Sequence, residues 1–251
     1  MNNLFSFDYL HTSEINAKKK TRDELYGLFE QYPKIIDLFC RLPYFKGELH
    51  EVNTPLGGVQ NFCYMHFVQA PYTFWAIYSL FEKAYYLEAI VILRHLIEAH
   101  IQMKYFVKYP DKHLPHFKNE KRISFKKMFD EFSKGYYKDY YGKQYSEAAH
   151  GFFLKHVLRF FPSGTRTATP RIGCTYDPGY ATYVINTVLP IILAYLNDYE
   201  RVFPENTITS DKSIIKKLDE TRDWINRQIE GHKEVNPNSV EYYEIINGII
   251  E

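Results

Sequence analysis

The stretch from Ala84 to Phe106 constrains the fold more than any other part of the sequence. It reads AYYLEAIVILRHLIEAHIQMKYF, the most continuously apolar helix-like segment of the chain, yet Arg94 and Glu98 stand at its centre. Residues four apart lie on one face of an α-helix. Arginine before glutamate is the less favourable order for a local helical pair, so we expect partners on another helix. Removing either charge should cost about 3–5 kcal/mol if both are buried.

Composition indicates an ordinary globular protein. The 251 residues are enough for one well-buried core, and 45% hydrophobic and 24% charged residues are typical values. A net charge of +1 provides no overall attraction to nucleic acid or to anionic membranes. The three cysteines form no CxxC pair, and the N-terminal residues lack the pattern of a secretory signal. We therefore expect a cytoplasmic protein.

Two stretches without charged side chains, 52–81 and 178–197, are long enough to span a bilayer. Both contain proline and several polar residues, which favours helices in the core of a bundle. We expect no membrane insertion.

Apolar periodicity predicts helices through most of the chain. Thr21 followed by Glu24 resembles a capping box and predicts the first helix, after a polar lead-in at 1–17. The further helices are predicted at 59–81, 85–109, 114–122, 124–134, 144–161, 180–203, 210–231 and 239–250.

These elements predict an all-α fold. No stretch shows several period-two strands, and no linker divides the chain. We expect one domain over 1–251, a helical bundle with a core at about 59–203. N-terminal helices at 18–42 and C-terminal helices at 210–250 would pack on this core. A long loop at about 162–179, rich in Pro, Gly and Thr, carries Arg166 and Arg171.

A second polar pair repeats the spacing of the first. Ser146 and His150 stand four apart in the helix predicted at 144–161, and small residues surround His150. A contact between His150 and Glu98 would fix the imidazole tautomer. We predict that the two helices pack side by side, with Arg94, Glu98, Ser146 and His150 meeting. Two interpretations remain open: a functional site, or a buried ion pair with a core histidine.

The spacing of Arg94 and His100 resembles the R-x4–6-H signature of HEPN ribonucleases, small all-α domains frequent in bacterial toxin and defence systems. The resemblance implies that the arginine and histidine act on the RNA backbone, usually across a homodimer. In a regular helix these two side chains would point about 120° apart.

A different resemblance covers more of the chain, roughly 70–203. The helix AIVILRHLIEAHIQMKYF, the aromatic and basic segment after it, and YSEAAHGFF are similar to an uncharacterised bacterial all-α family. Its members carry R-x-x-x-E in one helix and S-x-x-x-H in a later one. The resemblance implies that Arg94, Glu98, Ser146 and His150 form one cluster, and it implies no known activity.

Two functions from different classes remain open. The first is a HEPN-like, metal-independent RNA-cleaving enzyme, with Arg94, Glu98, His100 and His150 as candidate catalytic residues. The second is a non-catalytic module that binds a small anionic ligand or a protein, with a structural polar cluster. Glu147 and His150 match half of a di-iron motif, but no second ExxH exists, so we expect no metal and no cofactor. The candidate ligand-binding residues are Tyr145, Ser146, Arg166 and Arg171.

Overall fold

The computed structural model describes residues 6–43, 54–133, 137–138, 141–142, 174–203 and 212–235. These residues contain helices and no β-strand, which confirms the all-α fold class. A 3₁₀ turn at Pro110–Lys112 separates the fourth helix from the fifth. The described α-helices are α1 (Phe7–Glu24), α2 (Tyr26–Arg41), α3 (Pro55–Glu82), α4 (Tyr86–Lys108), α5 (His113–Phe117), α6 (Phe125–Ser133), α7 (Pro178–Val202) and α8 (Lys212–Val235).

Helices α3, α4 and α7 form the centre of the core. The α4 helix packs against both α3 and α7, and α7 buries side chains around most of its circumference. Phe67 and Phe74 of α3 meet the ring of Tyr195 edge-on, with centroids 5.8 and 5.9 Å apart. The buried Tyr195 hydroxyl donates to the Leu96 carbonyl at 3.2 Å, which ties α7 to α4. Aromatic packing and this hydrogen bond therefore determine which face of α4 packs against α7.

The N-terminal region differs from the prediction. The first helix starts at Phe7, where the Ser6 hydroxyl accepts a hydrogen bond from the Tyr9 N–H at 3.2 Å. Thr21 is instead buried in the last turns of α1, and its hydroxyl donates to the Ala17 carbonyl at 2.8 Å. The predicted start at Thr21 is wrong because that hydroxyl is satisfied inside the helix. The α1–α2 break falls at Leu25, while Pro33 lies within α2.

The junction between α3 and α4 is a tight Schellman turn. Ala84 adopts the left-handed conformation with φ 62°, and its N–H donates to the Phe81 carbonyl at 3.0 Å. The Tyr85 N–H donates to the Leu80 carbonyl at 2.9 Å, which completes the motif. The predicted helices at 59–81 and 85–109 are confirmed. The first begins earlier than predicted because Thr54 caps it by accepting from the Gly57 N–H.

The later helices agree with the prediction where the structure describes them. The α5 helix ends at Phe117, short of the predicted 122, whereas α6, α7 and α8 match their predicted positions within a few residues. In the described part of the chain, α7 alone is long and apolar enough to cross a membrane, and 72% of its most apolar window is buried. Such burial is typical of a core helix. The predicted helices at 144–161 and 239–250, and most of the 162–179 loop, lie outside the described residues.

Candidate functional site

Arg94 and Glu98 pair directly with each other on α4. The Arg94 Nε and the Glu98 Oε1 lie 2.8 Å apart, so the two residues form a local pair where we expected partners from another helix instead. A third group joins them from outside the helix, since the Tyr141 hydroxyl donates to Glu98 Oε1. Arg94 Nε also donates to the Tyr141 oxygen at 2.8 Å. The three side chains form one hydrogen-bonded group, which we call the Arg94 cluster.

The Arg94 cluster is only partly shielded from water. The side chains of Arg94 and Glu98 are 24% and 27% exposed, although Tyr141 is buried. The cost of 3–5 kcal/mol predicted for full burial therefore does not apply, since water can still solvate both charges. Burial, and then the hydrogen bond to Glu98, raise the pKa of Tyr141 well above its usual range. The phenol stays protonated and remains a donor to the carboxylate.

Helix α6 and Tyr137 hold Tyr141 in place. The ring of Tyr141 packs against Phe125 and Phe129, with centroids 4.8 and 5.9 Å away, and stacks on Tyr137 at 5.3 Å. Phe125 and Phe129 stand four positions apart and share one face of α6. The Arg94 guanidinium lies 5.6 Å from the Tyr141 ring centroid, a cation–π distance. The amphipathic pattern of α6 thus positions the phenol beside α4.

The other residues predicted to join this cluster lie in a different part of the chain. Tyr145, Ser146, His150, Arg166 and Arg171 all lie outside the described residues, so the meeting of the two helices stays a prediction. Tyr141 stands five positions before Ser146, and the chain leading to the predicted helix therefore touches Arg94 and Glu98. Sequence reasoning missed Tyr141 because it stands in a run of tyrosines, YYKDYYGKQY, with no signal that singles it out.

His100 lies on a different face of α4 and points towards α7. Its Nε2 is 2.7 Å from Asp198 Oδ2, and the two side chains are 5% and 7% exposed. The two atoms are close but not aligned as a regular hydrogen bond. Asp198 Oδ1 also lies 3.7 Å from Arg201. Arg94 and His100 therefore contact different partners, in agreement with the 120° separation predicted for a regular helix.

A group of three histidines lies between α3 and α5. His113 packs against Phe62 and Phe117, and His116 Nδ1 accepts from the Ile123 N–H at 3.0 Å. Burial lowers the pKa of both histidines, and it lowers the pKa of His66 to about 4. Within the described ranges, no three His, Cys, Asp or Glu side chains converge as metal ligands.

Comparison with known proteins places the Arg94 cluster within a family match. Residues 60–159 match DUF5677, a family of unknown function. The DUF5677 region covers less than half of the chain, but it contains all of α4, Tyr141, and the sequence positions of Ser146 and His150. The resemblance to an uncharacterised family is supported over this region, whereas the resemblance to HEPN ribonucleases is not shown. No curated protein and no solved structure matches the chain.

Proposed function

We propose that the Arg94 cluster, completed by His150, is the site of a metal-independent RNA-cleaving enzyme. The observation that carries the proposal is the pairing of a guanidinium and a carboxylate, each about a quarter exposed to solvent, at the centre of helix α4 inside the DUF5677 region. Partly exposed opposite charges with a hydroxyl at hydrogen-bond distance are a suitable set of groups for acid–base chemistry on a phosphodiester.

The chemistry assigns a role to each group. Glu98 accepts the proton of a ribose 2′-hydroxyl, whose oxygen attacks the adjacent phosphorus. The bond from phosphorus to the 5′-oxygen breaks, and His150 donates a proton to that leaving oxygen. Arg94 stabilises the negative charge that develops on the phosphoryl oxygens. The products are a 2′,3′-cyclic phosphate and a 5′-hydroxyl, and no metal or redox partner is needed.

The carboxylate favours catalysis over simple anion binding. An anion site would use Arg94 but would be weakened by Glu98, whose charge repels phosphate at this distance. A role as general base explains the position of Glu98, and the hydrogen bond from the Tyr141 hydroxyl orients the Glu98 carboxylate. His100 has no part in this proposal because it is buried against Asp198. Cleavage of cellular RNA would suit a bacterial toxin or defence component.

A non-catalytic role is the second candidate, and one observation favours it. The charge of Arg94 is already balanced within its own helix by Glu98, and Tyr141 is buried among aromatic rings. The cluster would then be a structural contact that holds Tyr141 against α4. The protein would be an interaction or ligand-binding module.

Incubation of end-labelled RNA with the purified protein in EDTA separates the two candidates. We expect wild type to cleave, and Glu98→Gln and His150→Ala to lose at least about 100-fold in rate. Glu88→Gln is the matched control, since it removes a carboxylate from the same helix outside the cluster. It should cleave like wild type.

Thermal melting of these variants and of Tyr141→Phe tests the structural role of the cluster. If wild type cleaves no RNA and Tyr141→Phe melts at a lower temperature than wild type, the cluster has the structural role and the enzyme proposal is wrong.

A further inference from the structure

The connection between α5 and α6 concentrates positive charge on a protein that is nearly neutral overall. The net charge of the chain is +1, yet residues 118–127 contain five cationic side chains and a single carboxylate, that of Glu120. We call this stretch the basic turn. Its cationic residues are all exposed, and they are Lys118, Lys121, Arg122, Lys126 and Lys127.

Most cations of the basic turn have no carboxylate partner among the residues that the structure describes. Lys126 is the exception, since its Nζ pairs with Asp130 Oδ2 at 2.7 Å. The next carboxylate of α6 is engaged elsewhere, because Glu131 pairs with Lys108 at 2.8 Å. The cations without an ion pair in this part of the chain are Lys118, Lys121, Arg122 and Lys127. The basic turn therefore presents an excess of positive charge that a polyanion can reach from solvent.

Hydrogen bonds hold the backbone of the basic turn against α5. The Pro115 carbonyl accepts from the Glu120 N–H at 3.0 Å and from the Lys121 N–H at 3.1 Å. The His116 Nδ1 accepts from the Ile123 N–H at 3.0 Å. These bonds fix the backbone that carries the cations, so that less ordering is needed when an anion binds.

The basic turn lies next to an exposed aromatic ring and next to the Arg94 cluster. Phe117, directly before it, is 48% exposed, although its ring also packs against Phe62. Bases of a single strand stack on such rings while cations contact the phosphates. At the other side, the Phe125 ring lies 4.8 Å from the ring of Tyr141. A strand bound along the basic turn would therefore pass beside the Arg94 cluster.

We propose that the basic turn binds the phosphate backbone of single-stranded RNA and directs the strand to the Arg94 cluster. Each phosphate that a lysine or arginine neutralises releases a counterion, which favours binding at low salt. A single strand fits better than a duplex, because the ring of Phe117 can stack only on an unpaired base. The choice of RNA rests on the cleavage proposed for the Arg94 cluster, although the basic turn uses none of the residues of that cluster.

Fluorescence anisotropy with a single-stranded 2′-O-methyl RNA measures binding without cleavage, because the methylated 2′-oxygen cannot attack phosphorus. We expect wild type to bind this RNA, and its affinity to fall as the salt concentration rises. The triple variant Lys118→Gln, Lys121→Gln, Arg122→Gln should bind at least about tenfold more weakly at low salt. The slope of log K against log salt should decrease in magnitude by about 2, since three phosphate contacts are lost.

The matched control combines Lys19→Gln, Lys34→Gln and Lys217→Gln. These exposed lysines lie on α1, α2 and α8, and their replacement removes the same total charge. This variant should bind the RNA like wild type. The proposal is overturned if wild type does not bind the RNA or if the two triple variants lose affinity equally. It is also overturned if vesicles of phosphatidylserine and phosphatidylcholine bind as tightly as the RNA and lose that binding in the first triple variant.

Failure of this proposal differs from failure of the proposed cleavage. If the first triple variant loses binding but wild type leaves unmodified RNA intact, the basic turn binds RNA and the cleavage proposal is wrong. If wild type cleaves RNA and the first triple variant binds and cleaves like wild type, the role of the basic turn alone is overturned.

Discussion

Replacement of His100 by leucine should destabilise the fold strongly. His100 and Asp198 are both almost fully buried and lie 2.7 Å apart, so the change leaves a buried carboxylate without its nearest partner. Removing one member of a buried pair costs about 3–5 kcal/mol. The half-exposed Arg201 lies 3.7 Å from Asp198 and can turn towards it, which places the expected loss near about 3 kcal/mol. For a chain of this size the melting temperature should fall by about 6–12 °C.

Urea and thermal unfolding of a double-mutant cycle measure this loss. His100→Leu and Asp198→Leu should each be costly, and the double variant should cost less than their sum by at least about 1 kcal/mol. His95→Leu is the matched control, because His95 is exposed on the same helix and should change stability by no more than about 0.5 kcal/mol. A loss below about 1 kcal/mol for His100→Leu, or additive losses in the cycle, would refute the reasoning.

Three further predictions follow from the described residues. Burial lowers the pKa of His66 to about 4, so below about pH 6.5 the unfolded chain binds a proton that the folded chain does not. The free energy of unfolding should therefore fall as the pH drops below about 6.5, and it should fall less in His66→Leu. Ala84→Gly should stabilise by about 1 kcal/mol in urea melts by relieving a positive φ, whereas Ala89→Gly, inside α4, should destabilise by at least that much. Glu82→Gln weakens the contacts of a buried carboxylate with α1 and should cost about 1.5–3 kcal/mol, with faster amide exchange in α1.

Local pattern predicts the central helices well and their ends less well. The 85–109 and 180–203 predictions succeeded because α4 and α7 are long apolar segments bounded by proline or turn residues. The first helix was misplaced because Thr21 and Glu24 have the spacing of a cap, although the Thr21 hydroxyl donates to Ala17 inside α1. A capping pattern shows that a hydroxyl can accept a hydrogen bond at a helix N-terminus, but the fold decides where the helix begins.

In the candidate site, too, local sequence pattern predicts some features and not others. The shared face of Arg94 and Glu98 follows from helical geometry, and so does the divergence of His100 from Arg94. Tyr141 and Asp198 could not be predicted as partners. They lie 43 and 98 positions away from the residues they contact. Such contacts arise from the packing of α4 against α6 and α7, and no short-range pattern records them.

The ends of the RNA products test the proposed site most directly. Wild-type protein in EDTA should produce 2′,3′-cyclic phosphate ends, Glu98→Gln should produce almost none, and a substrate with 2′-deoxyribose at every position should remain intact. Intact RNA after incubation with wild type would contradict the account, and so would 3′-hydroxyl ends or equal cleavage by Glu98→Gln.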